Sequence, residues 1–355
     1  MSTLDIILIQ MITLKEIAAQ CNVSIATVSN ILNGKDKVSK ETKEKVLNLI
    51  KATGYKPNYM ARGLRASKTR TIGLIIDDLT EFSSPLIVDG IMTYLEEINY
   101  KSILENLRFY SKWGYDWHQN KAYKKAVYDA FQEFSAIKVD GIIYVSGHER
   151  NINIIPEDFS IPTIISYAFS DSPNISSVMI DDVDAAYKLT EYLIKNGHKR
   201  IAVIKGENGN IHTEKRLEGY KKALNDYGID LDPSLICDGN WRSKSGYDVC
   251  KKILQSKKDV SAIFCFNDLM AAGTYKCMAE NNLVVGKDLS VVGFDNRTIS
   301  QELIPPLTTM EIPLAEIGKA TTQELIKQIT TEEDFKKQEL FIKCNLIERN
   351  SVSKK

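Results

Sequence analysis

The 355-residue sequence predicts a small all-helical head followed by a larger α/β body. Residues 11–57 hold three short amphipathic segments that begin at helix-capping residues, whereas the chain from residue 71 onward alternates β-rich with helical runs. Basic residues also concentrate in the first 70 positions. Because a chain of this length exceeds one ordinary core, the two patterns predict separate domains.

The composition is that of a soluble globular protein, with 43% hydrophobic and 26% charged residues. Residues 11–70 contain nine Lys and three Arg against one Asp and three Glu, although the whole chain is formally neutral. A basic head on an acidic body suggests that the head meets a polyanion. A solvated lysine-rich face would give the same count.

The sequence contains no run long enough for a membrane span. The apolar stretch at residues 4–9 has no preceding basic residue and no small-residue cleavage site, so we expect no secretory signal, and residues 1–10 look like an N-terminal extension. The six cysteines are scattered without metal-ligand spacing. This pattern indicates reduced thiols, a cytoplasmic location and no metal or other cofactor.

The head has a helix-turn-helix pattern. Thr13 and Glu16 form a capping box before the first helix, Ser24 and Ser39 are the expected N-caps of the second and third helices, and Gly54 ends the third. A tight turn separates the first two helices. The residues expected to face the core from the second and third helices are Val28, Ile31, Leu32, Val46, Leu47 and Ile50.

The outer face of the second helix carries short polar and small apolar side chains, with no Lys or Glu. A helix that is merely solvated in a three-helix bundle would usually be charged there. In a DNA major groove, Asn can bind the adenine edge, and Ala or Ile can contact a thymine methyl group. The pattern therefore favours DNA binding. The residues of this face are Ile25, Ala26, Thr27, Ser29 and Asn30.

The stretch from residue 12 to residue 76 resembles the head and hinge of the LacI/GalR family of bacterial transcriptional regulators. It contains V-S-I-A-T-V-S at 23–29, G-Y-K-P-N at 54–58 and A-R-G-L at 61–64. The resemblance continues more loosely to the C-terminus. It implies a periplasmic-binding-protein-like body of two parallel-sheet lobes joined by three crossovers.

The resemblance also implies domain limits and DNA contacts. The helix-turn-helix domain would span 11–57, the hinge helix and linker 58–70, and the two-lobed effector-binding and dimerisation domain 71–355. By this resemblance the positions that hold phosphates are Thr13, Ser24, Thr27 and Ser29, those that read bases are Ile25, Ala26 and Asn30, those that contact the DNA backbone are Tyr55 and Asn58, and Leu64 enters the minor groove.

Two departures from the family pattern affect the head. Asn30 stands where an arginine is frequent, which predicts a preference for adenine at the base that it faces. Gly63 lies within the expected hinge helix, where glycine costs about 1 kcal/mol relative to alanine. Ordering of the hinge is therefore expected to depend heavily on DNA.

The body alternates continuous apolar strands with amphipathic helices such as 185–195 and 214–227. This alternation predicts parallel α/β sheets, and the length fits two lobes. We expect the crossovers between lobes near 166–177, 303–313 and 340–347. The predicted strands are 71–77, 102–106, 140–146, 162–166, 200–206, 261–267 and 289–295.

Ligands bind outside the carboxyl ends of parallel strands. Arg216, Asn267 and Asp295 match effector-contact positions of the family, and His148 and Tyr167 are further candidates. Arg, Asn and Asp together suit a polyhydroxylated ligand, so we expect a sugar effector, with a nucleobase as the alternative. Asp and Asn at strand ends could instead cap the helices that follow.

Two further departures affect the body. Ser83 and Ser84 lie near where many relatives carry bulky aromatic residues, which would enlarge or soften the effector site. The segment 106–125 is about a dozen residues longer than the family pattern leads us to expect. Its aromatic residues Trp113, Tyr115 and Trp117 could form a lid over a ligand or pack on the lobe as a surface elaboration.

Other classes of protein fit less well. A solute-binding protein would share the body but not the basic head, and the motifs of metal, nucleophile-elbow and P-loop enzymes are missing from the sequence. The sequence thus predicts a homodimeric regulator, most often a repressor in this family, that binds an inverted-repeat DNA operator under the control of a small effector.

Overall fold

The structure is a computed structural model, and it describes residues 12–32, 38–55, 68–114, 117–153, 155, 160–256, 259–331 and 336–355. Contacts between residues divide the chain after Thr69 into a head and a body. None of the helices in the described ranges is long and apolar enough to cross a membrane.

The described part of the head contains helices α1 (Leu14–Cys21), α2 (Ile25–Leu32) and α3 (Lys40–Thr53). The expected caps are present. Thr13 and Glu16 form the capping box of α1, the Ser24 hydroxyl accepts a hydrogen bond from the Thr27 amide at 3.0 Å, and Ser39 caps α3. Asn22 makes the left-handed turn after α1, and Gly54 ends α3 with φ +64°.

The core of the head is small, with fully buried Ile17, Val28 and Val46 at its centre. The prediction that Leu47 faces this core is wrong, because Leu47 is 42% exposed. Helix α3 turns Leu49 and Ile50 inward beside Val46, and a residue one position after Val46 lies about 100° around the helix.

The body begins with strands and helices of the first lobe. In chain order these are β1 (Thr71–Ile76), α4 (Ser84–Glu97), β2 (Lys101–Asn106), α5 (Phe109–Trp113), α6 (Ala122–Ala136), β3 (Gly141–Val145), β4 (Thr163–Ser166) and β5 (Ser176–Ile180).

The second lobe follows. Its elements are α7 (Asp182–Lys195), β6 (Ile201–Lys205), α8 (Ile211–Asp226), β7 (Ile236–Asp238), α9 (Ser243–Gln255), β8 (Ala262–Cys265), α10 (Asp268–Glu280), β9 (Ser290–Asp295), α11 (Ile299–Glu302) and β10 (Thr308–Glu311). The chain then returns to the first lobe with α12 (Leu314–Thr330) and β11 (Glu339–Ile342), and ends in the second lobe with β12 (Asn345–Ile347).

Each lobe is built on one six-stranded sheet. The order is β11-β5-β4-β3-β1-β2 in the first lobe and β12-β10-β9-β8-β6-β7 in the second. All neighbouring strands are parallel except β10 and β12. The strands next to the sheet centres are almost entirely buried, as expected when helices cover both faces. The predicted parallel α/β body is confirmed.

Three short crossovers join the lobes. They lie at Asp181 between β5 and α7, at 312–313 between β10 and α12, and at 343–344 between β11 and β12. The second and third agree with the expectations from sequence. The first was expected at 166–177 and is wrong, because Ser176–Ile180 forms β5 and pairs with both β4 and β11.

Helix packing in the first lobe depends on close backbone approach. A Cβ atom on Gly90 of α4 would lie 2.1 Å from the carbonyl oxygen of Ala315 in α12, and one on Gly318 of α12 would lie 2.1 Å from that of Ile87. Only glycine lets the two helices approach so closely. This pair fixes α12, which arrives from a distant part of the sequence, on the first lobe.

Candidate functional site

The outer face of α2 carries most of the residues expected to contact DNA. Ala26 and Ser24 are exposed, and the Ser24 and Thr27 hydroxyls lie 2.9 Å apart. Thr27, Ser29 and Asn30 are partly exposed, and Thr13 is exposed at the start of α1. Side chains on one helix face with these properties can contact base edges and phosphates together.

Two of the DNA candidates also have a packing role. Ile25 and Tyr55 are partly buried and pack against the core of the head. Asn58, Leu64 and the hinge glycine Gly63 lie outside the described residues.

The effector candidate Arg216 lies at the centre of an ion cluster in the second lobe. Its Nε donates to Asp182 Oδ1 at 2.7 Å, its Nη1 donates to the carbonyl oxygen of Phe266, and Nη1 lies 3.7 Å from Asp295 Oδ1. The guanidinium carbon lies 3.5 Å from the centroid of the Phe294 ring. A guanidinium that is 2% exposed requires such partners, and the cluster holds it rigidly.

Asp182 is the hydrogen-bond acceptor of this cluster. Burial alone would raise the pKa of Asp182, but His212 and Arg216 more than offset the burial and lower the pKa to about 2. His212 Nδ1 lies 2.7 Å from Asp182 Oδ2, and the Glu149 amide donates to His212 Nε2 at 3.3 Å. Since Nε2 accepts, these contacts assign the proton of a neutral His212 to Nδ1.

Asp295 ends β9 in an unusual backbone conformation. Its φ is +109°, and the following Asn296 has φ +54°. Left-handed backbone at two successive non-glycine residues is strained, and such strain is concentrated at functional sites. Burial raises the pKa of the Asp295 carboxyl, although Arg216 and Arg297 oppose that shift.

Asn267 is placed as the N-cap of α10. Its Oδ1 accepts from the Met270 amide at 2.9 Å, and its Nδ2 donates to the carbonyl oxygen of Trp241 at 2.9 Å. Both ends of the amide are therefore used inside the protein, in the way that the capping alternative describes. Asn267 fixes Trp241, which has φ +67° and whose ring fills the space where Gly206 has no side chain.

The candidates of the first lobe lie at the carboxyl ends of its strands. His148 Nε2 lies 3.0 Å from Glu81 Oε2, and burial lowers the pKa of His148. Tyr167 follows β4 with φ +60°, and its ring centroid lies 5.6 Å from that of His212 in the second lobe. Tyr167 thus contacts the second lobe, whereas His148 pairs within the first.

Direct contacts connect the two lobes. Lys215 of α8 donates to Glu149 Oε1, and the neighbouring His212 accepts from the Glu149 amide. On the other side of Asp295, the Arg297 guanidinium lies 4.0 Å from the centroid of the Phe82 ring. The residues of the two lobes therefore form a closed arrangement held by charge and aromatic contacts.

Several buried polar atoms at this junction have no hydrogen-bond partner among the described residues. Glu149 Oε2 is an unpaired acceptor. Buried polar atoms normally have a hydrogen-bond partner. The atoms concerned are Glu149 Oε2, Ser84 Oγ, Arg150 Nε and Arg297 Nε.

Glu149, Asp182 and His212 offer ligand atoms that lie within 4.8 Å of one another. However, Lys215 and Arg216 already neutralise the two carboxylates, and both nitrogens of His212 are engaged. Within the described residues, this set fits an ion-pair network better than a divalent cation.

The aromatic segment at 106–125 packs on the first lobe. Trp117 is 1% exposed, and Phe109 stacks between it and Trp113 at centroid distances of 4.6 and 5.4 Å. Arg150 covers the Trp117 ring at 4.6 Å. For these residues the structure matches the packing alternative, whereas Tyr115 lies outside the described residues.

Sequence reasoning missed several residues of the site. His212 and Arg216 are four positions apart on α8, and this spacing on one helix face could have indicated a shared partner. Asp182, Glu149 and Arg297 come from separate elements, so no local pattern could have joined them to the cluster.

Two family profiles match the chain. The profile described as bacterial regulatory proteins, lacI family, matches residues 13–58, and that of a periplasmic binding protein-like domain matches residues 190–352. Among curated proteins, the HTH-type transcriptional regulator RegA of Clostridium saccharobutylicum is 33% identical over 96% of this chain and 99% of that protein. Catabolite control protein A of Priestia megaterium is 32% identical over 90% of this chain and 93% of that protein.

Solved structures show the same architecture. The lac repressor dimer bound to operator and the anti-inducer ONPF aligns with a TM-score of 0.79 at 24% identity, over 97% of this chain and 100% of that one. A complex of the transcriptional regulator CelR with cellobiose aligns with a TM-score of 0.64 at 27% identity, over 96% and 99%. The chain therefore belongs to the LacI family of bacterial regulatory proteins, as a DNA-binding transcriptional regulator with an effector-binding domain and not as an enzyme.

Proposed function

We propose that this regulator is a cytoplasmic homodimeric repressor whose operator affinity is set by a sugar bound between the lobes. The observation that supports this proposal is the environment of Glu149. This residue is 3% exposed and pairs with Lys215 of the opposite lobe, and its Oε2 has no hydrogen-bond partner among the described residues. A sugar hydroxyl can donate to Oε2 and still accept a hydrogen bond from another group. A ligand group that both donates and accepts hydrogen bonds, as a hydroxyl does, fits this junction better than a group that only donates or only accepts.

Arg216, Asp295, Asn267, His148 and Tyr167 are the proposed effector-binding residues. Arg216 and Asp295 would supply donors and acceptors from the second lobe, and Tyr167 and His148 would approach from the first. Asn267 would act by holding Trp241 in place. The complex of CelR with cellobiose is consistent with a carbohydrate in a relative of the same fold.

The proposed switch works through the contacts between the lobes. An effector that donates to Glu149 Oε2 adds a contact in the arrangement in which Lys215 holds Oε1, and this changes the relative stability of two lobe arrangements. We propose that the hinge at 58–70 folds on DNA in only one of them. The effector can shift this equilibrium only by its difference in affinity for the two arrangements.

Dimerisation is supported by apolar surface on the first lobe. Leu86 and Met92 of α4 are exposed, and so are Ile103 and Leu104 of β2, the edge strand of the sheet. Exposed apolar side chains beside an open sheet edge are typical of an interface between chains. The lac repressor of similar fold binds its operator as a dimer.

A thermal-shift and operator-binding screen tests the effector class. Neutral mono- and disaccharides are compared with nucleobases, in the wild type and in Arg216→Met. We expect a sugar to raise the melting temperature and change the operator Kd in the wild type only. A nucleobase that does both, while every sugar does neither, would replace the sugar proposal with the nucleobase alternative.

The reading of adenine by Asn30 is tested separately. Operator sequences are selected from a random pool with the wild type, with Asn30→Ala and with Asn48→Ala, which changes an exposed residue of the same type on α3. Loss of a bidentate contact should cost about 1–3 kcal/mol at one base pair and relax the preference for adenine there. Selection of guanine by the wild type at that position would contradict the assignment.

A further inference from the structure

The second lobe extends a second arginine, Arg297, toward the first lobe from beside the ion cluster. Arg297 follows the two left-handed residues Asp295 and Asn296, and its backbone amide donates to Asp268 Oδ2 at 2.8 Å. This hydrogen bond fixes the direction in which the Arg297 side chain leaves the turn. The strained backbone after β9 therefore serves to place a guanidinium at the junction.

Among the described residues, the guanidinium of Arg297 contacts an aromatic ring and a carboxylate but forms no hydrogen bond. It stacks on the Phe82 ring at 4.0 Å, and its Nε lies 3.4 Å from Asp295 Oδ2 without forming a hydrogen bond. Asp295 is also shared with Arg216, so two cations flank one carboxylate. Stacking uses the face of the guanidinium and leaves its edge of N–H groups available to an acceptor.

The ring that Arg297 covers directly precedes the N-terminus of α4, a helix of 14 residues. Ser83, at the N-cap position, makes no side-chain cap because its hydroxyl donates to the carbonyl oxygen of Gly147 at 2.6 Å. Ser84 is fully buried, and its hydroxyl has no partner among the described residues. The stacked guanidinium thus covers a ring that stands one residue before the N-cap at the positive end of the helix dipole and two residues before an unpaired hydroxyl.

We infer that Arg297 and the α4 N-terminus bind an anionic group, so that the effector is a phosphorylated sugar rather than a neutral one. An oxyanion would accept from the free edge of Arg297 and from the Ser84 hydroxyl, and it would lie at the positive end of α4. The inference rests on the proposed function, because it specifies the class of sugar in the same space between the lobes.

The first test uses inorganic phosphate and the full-length chain. Isothermal titration with phosphate, against chloride at equal ionic strength, is compared for the wild type, Arg297→Gln and Arg200→Gln. Arg200 pairs with Asp232 at 3.0 Å on the surface, so its replacement removes the same charge away from the junction. We expect phosphate to bind the wild type and Arg200→Gln alike, with the Kd raised at least about tenfold in Arg297→Gln.

Ser84→Ala gives a second variant that removes one oxygen atom and leaves the charge of the site unchanged. We expect weaker phosphate binding with an unchanged far-ultraviolet circular dichroism spectrum, which separates a lost contact from misfolding. Equal phosphate affinity in the wild type and Arg297→Gln, or binding that chloride abolishes, would overturn the inference.

The second test compares glucose with glucose 6-phosphate as modulators of operator affinity. A larger effect of the phosphate ester, lost in Arg297→Gln, supports the inference. If glucose acts as strongly as its ester and Arg297→Gln changes neither, the proposed sugar switch stands and the anion site falls. If neither sugar acts but phosphate binding depends on Arg297, the anion site stands and the sugar proposal fails.

Discussion

The two lobes share a sheet topology but differ in the partners that stabilise the carboxylates at their strand ends. In the second lobe, Asp182 and Asp295 are held by Arg216 in a compact ion cluster. In the first lobe, Asp77 is held by the Tyr144 and Ser146 hydroxyls and by a backbone amide. The unpaired atoms of Ser84, Glu149 and Arg150 belong to the first lobe, and that of Arg297 belongs to the second. The difference suggests that the second lobe contributes mainly fixed charge at its strand ends, whereas the first contributes mainly polar atoms without a hydrogen-bond partner among the described residues.

The largest effect should follow from breaking the ion cluster. Arg216→Met leaves Asp182 buried and without one of its two charged partners, so we expect the free energy of unfolding to fall by about 3–5 kcal/mol. Urea unfolding monitored by circular dichroism measures the change. Arg200→Met breaks the surface pair with Asp232 and should cost only about 0–1 kcal/mol. Equal losses in the two variants would show that the second lobe does not depend on its fixed charges.

A loss of similar size is expected from the aromatic core of the first lobe. Trp117→Ala removes a fully buried ring that packs on Phe109, which should cost about 3–5 kcal/mol. Trp113→Ala, at a partly exposed position, should cost less. If Trp117→Ala instead preserves stability and abolishes effector binding, the segment acts as a lid and not as a support for the lobe.

The smallest expected effect concerns the pH dependence of the second lobe. Burial and repulsion from Asp295 raise the pKa of Asp268 to about 8, against 3.8 for the ordinary group. The folded protein therefore keeps a proton that the unfolded chain releases above about pH 4, so the contribution of Asp268 to stability falls as the pH rises toward 8.

Asp268→Asn removes this titration while keeping a group that can accept from the Arg297 amide. From about pH 5 to about pH 8, the variant should gain about 1 kcal/mol or more relative to the wild type. Urea unfolding at several pH values measures the difference. A constant difference across this range would contradict the raised pKa.

Helices and strands with a local sequence signature could be predicted, whereas the contacts of the candidate site could not, because its residues come together only in the folded chain. Thr13, Ser24 and Ser39 cap their helices as expected, because a cap depends on three or four consecutive residues. The strand at 176–180 was missed because its serines resemble a loop and it becomes a strand only between β4 and β11. Arg216 was found through the family motif, but its partner Asp182 is 34 positions away.

The crossovers between the lobes determine how the body can move. Each has only one or two residues between regular elements, so the lobes cannot slide far apart and must pivot. All three leave from the carboxyl ends of strands, whereas Thr71, where the chain from the head enters β1, lies at the opposite edge of the parallel sheet. A strand of six residues spans about 20 Å, so a rotation of about 10° moves that entry point by about 3–4 Å. A small rotation of the lobes about the crossovers, beside the proposed effector, is therefore converted into a larger displacement at Thr71, where the chain from the head enters the body.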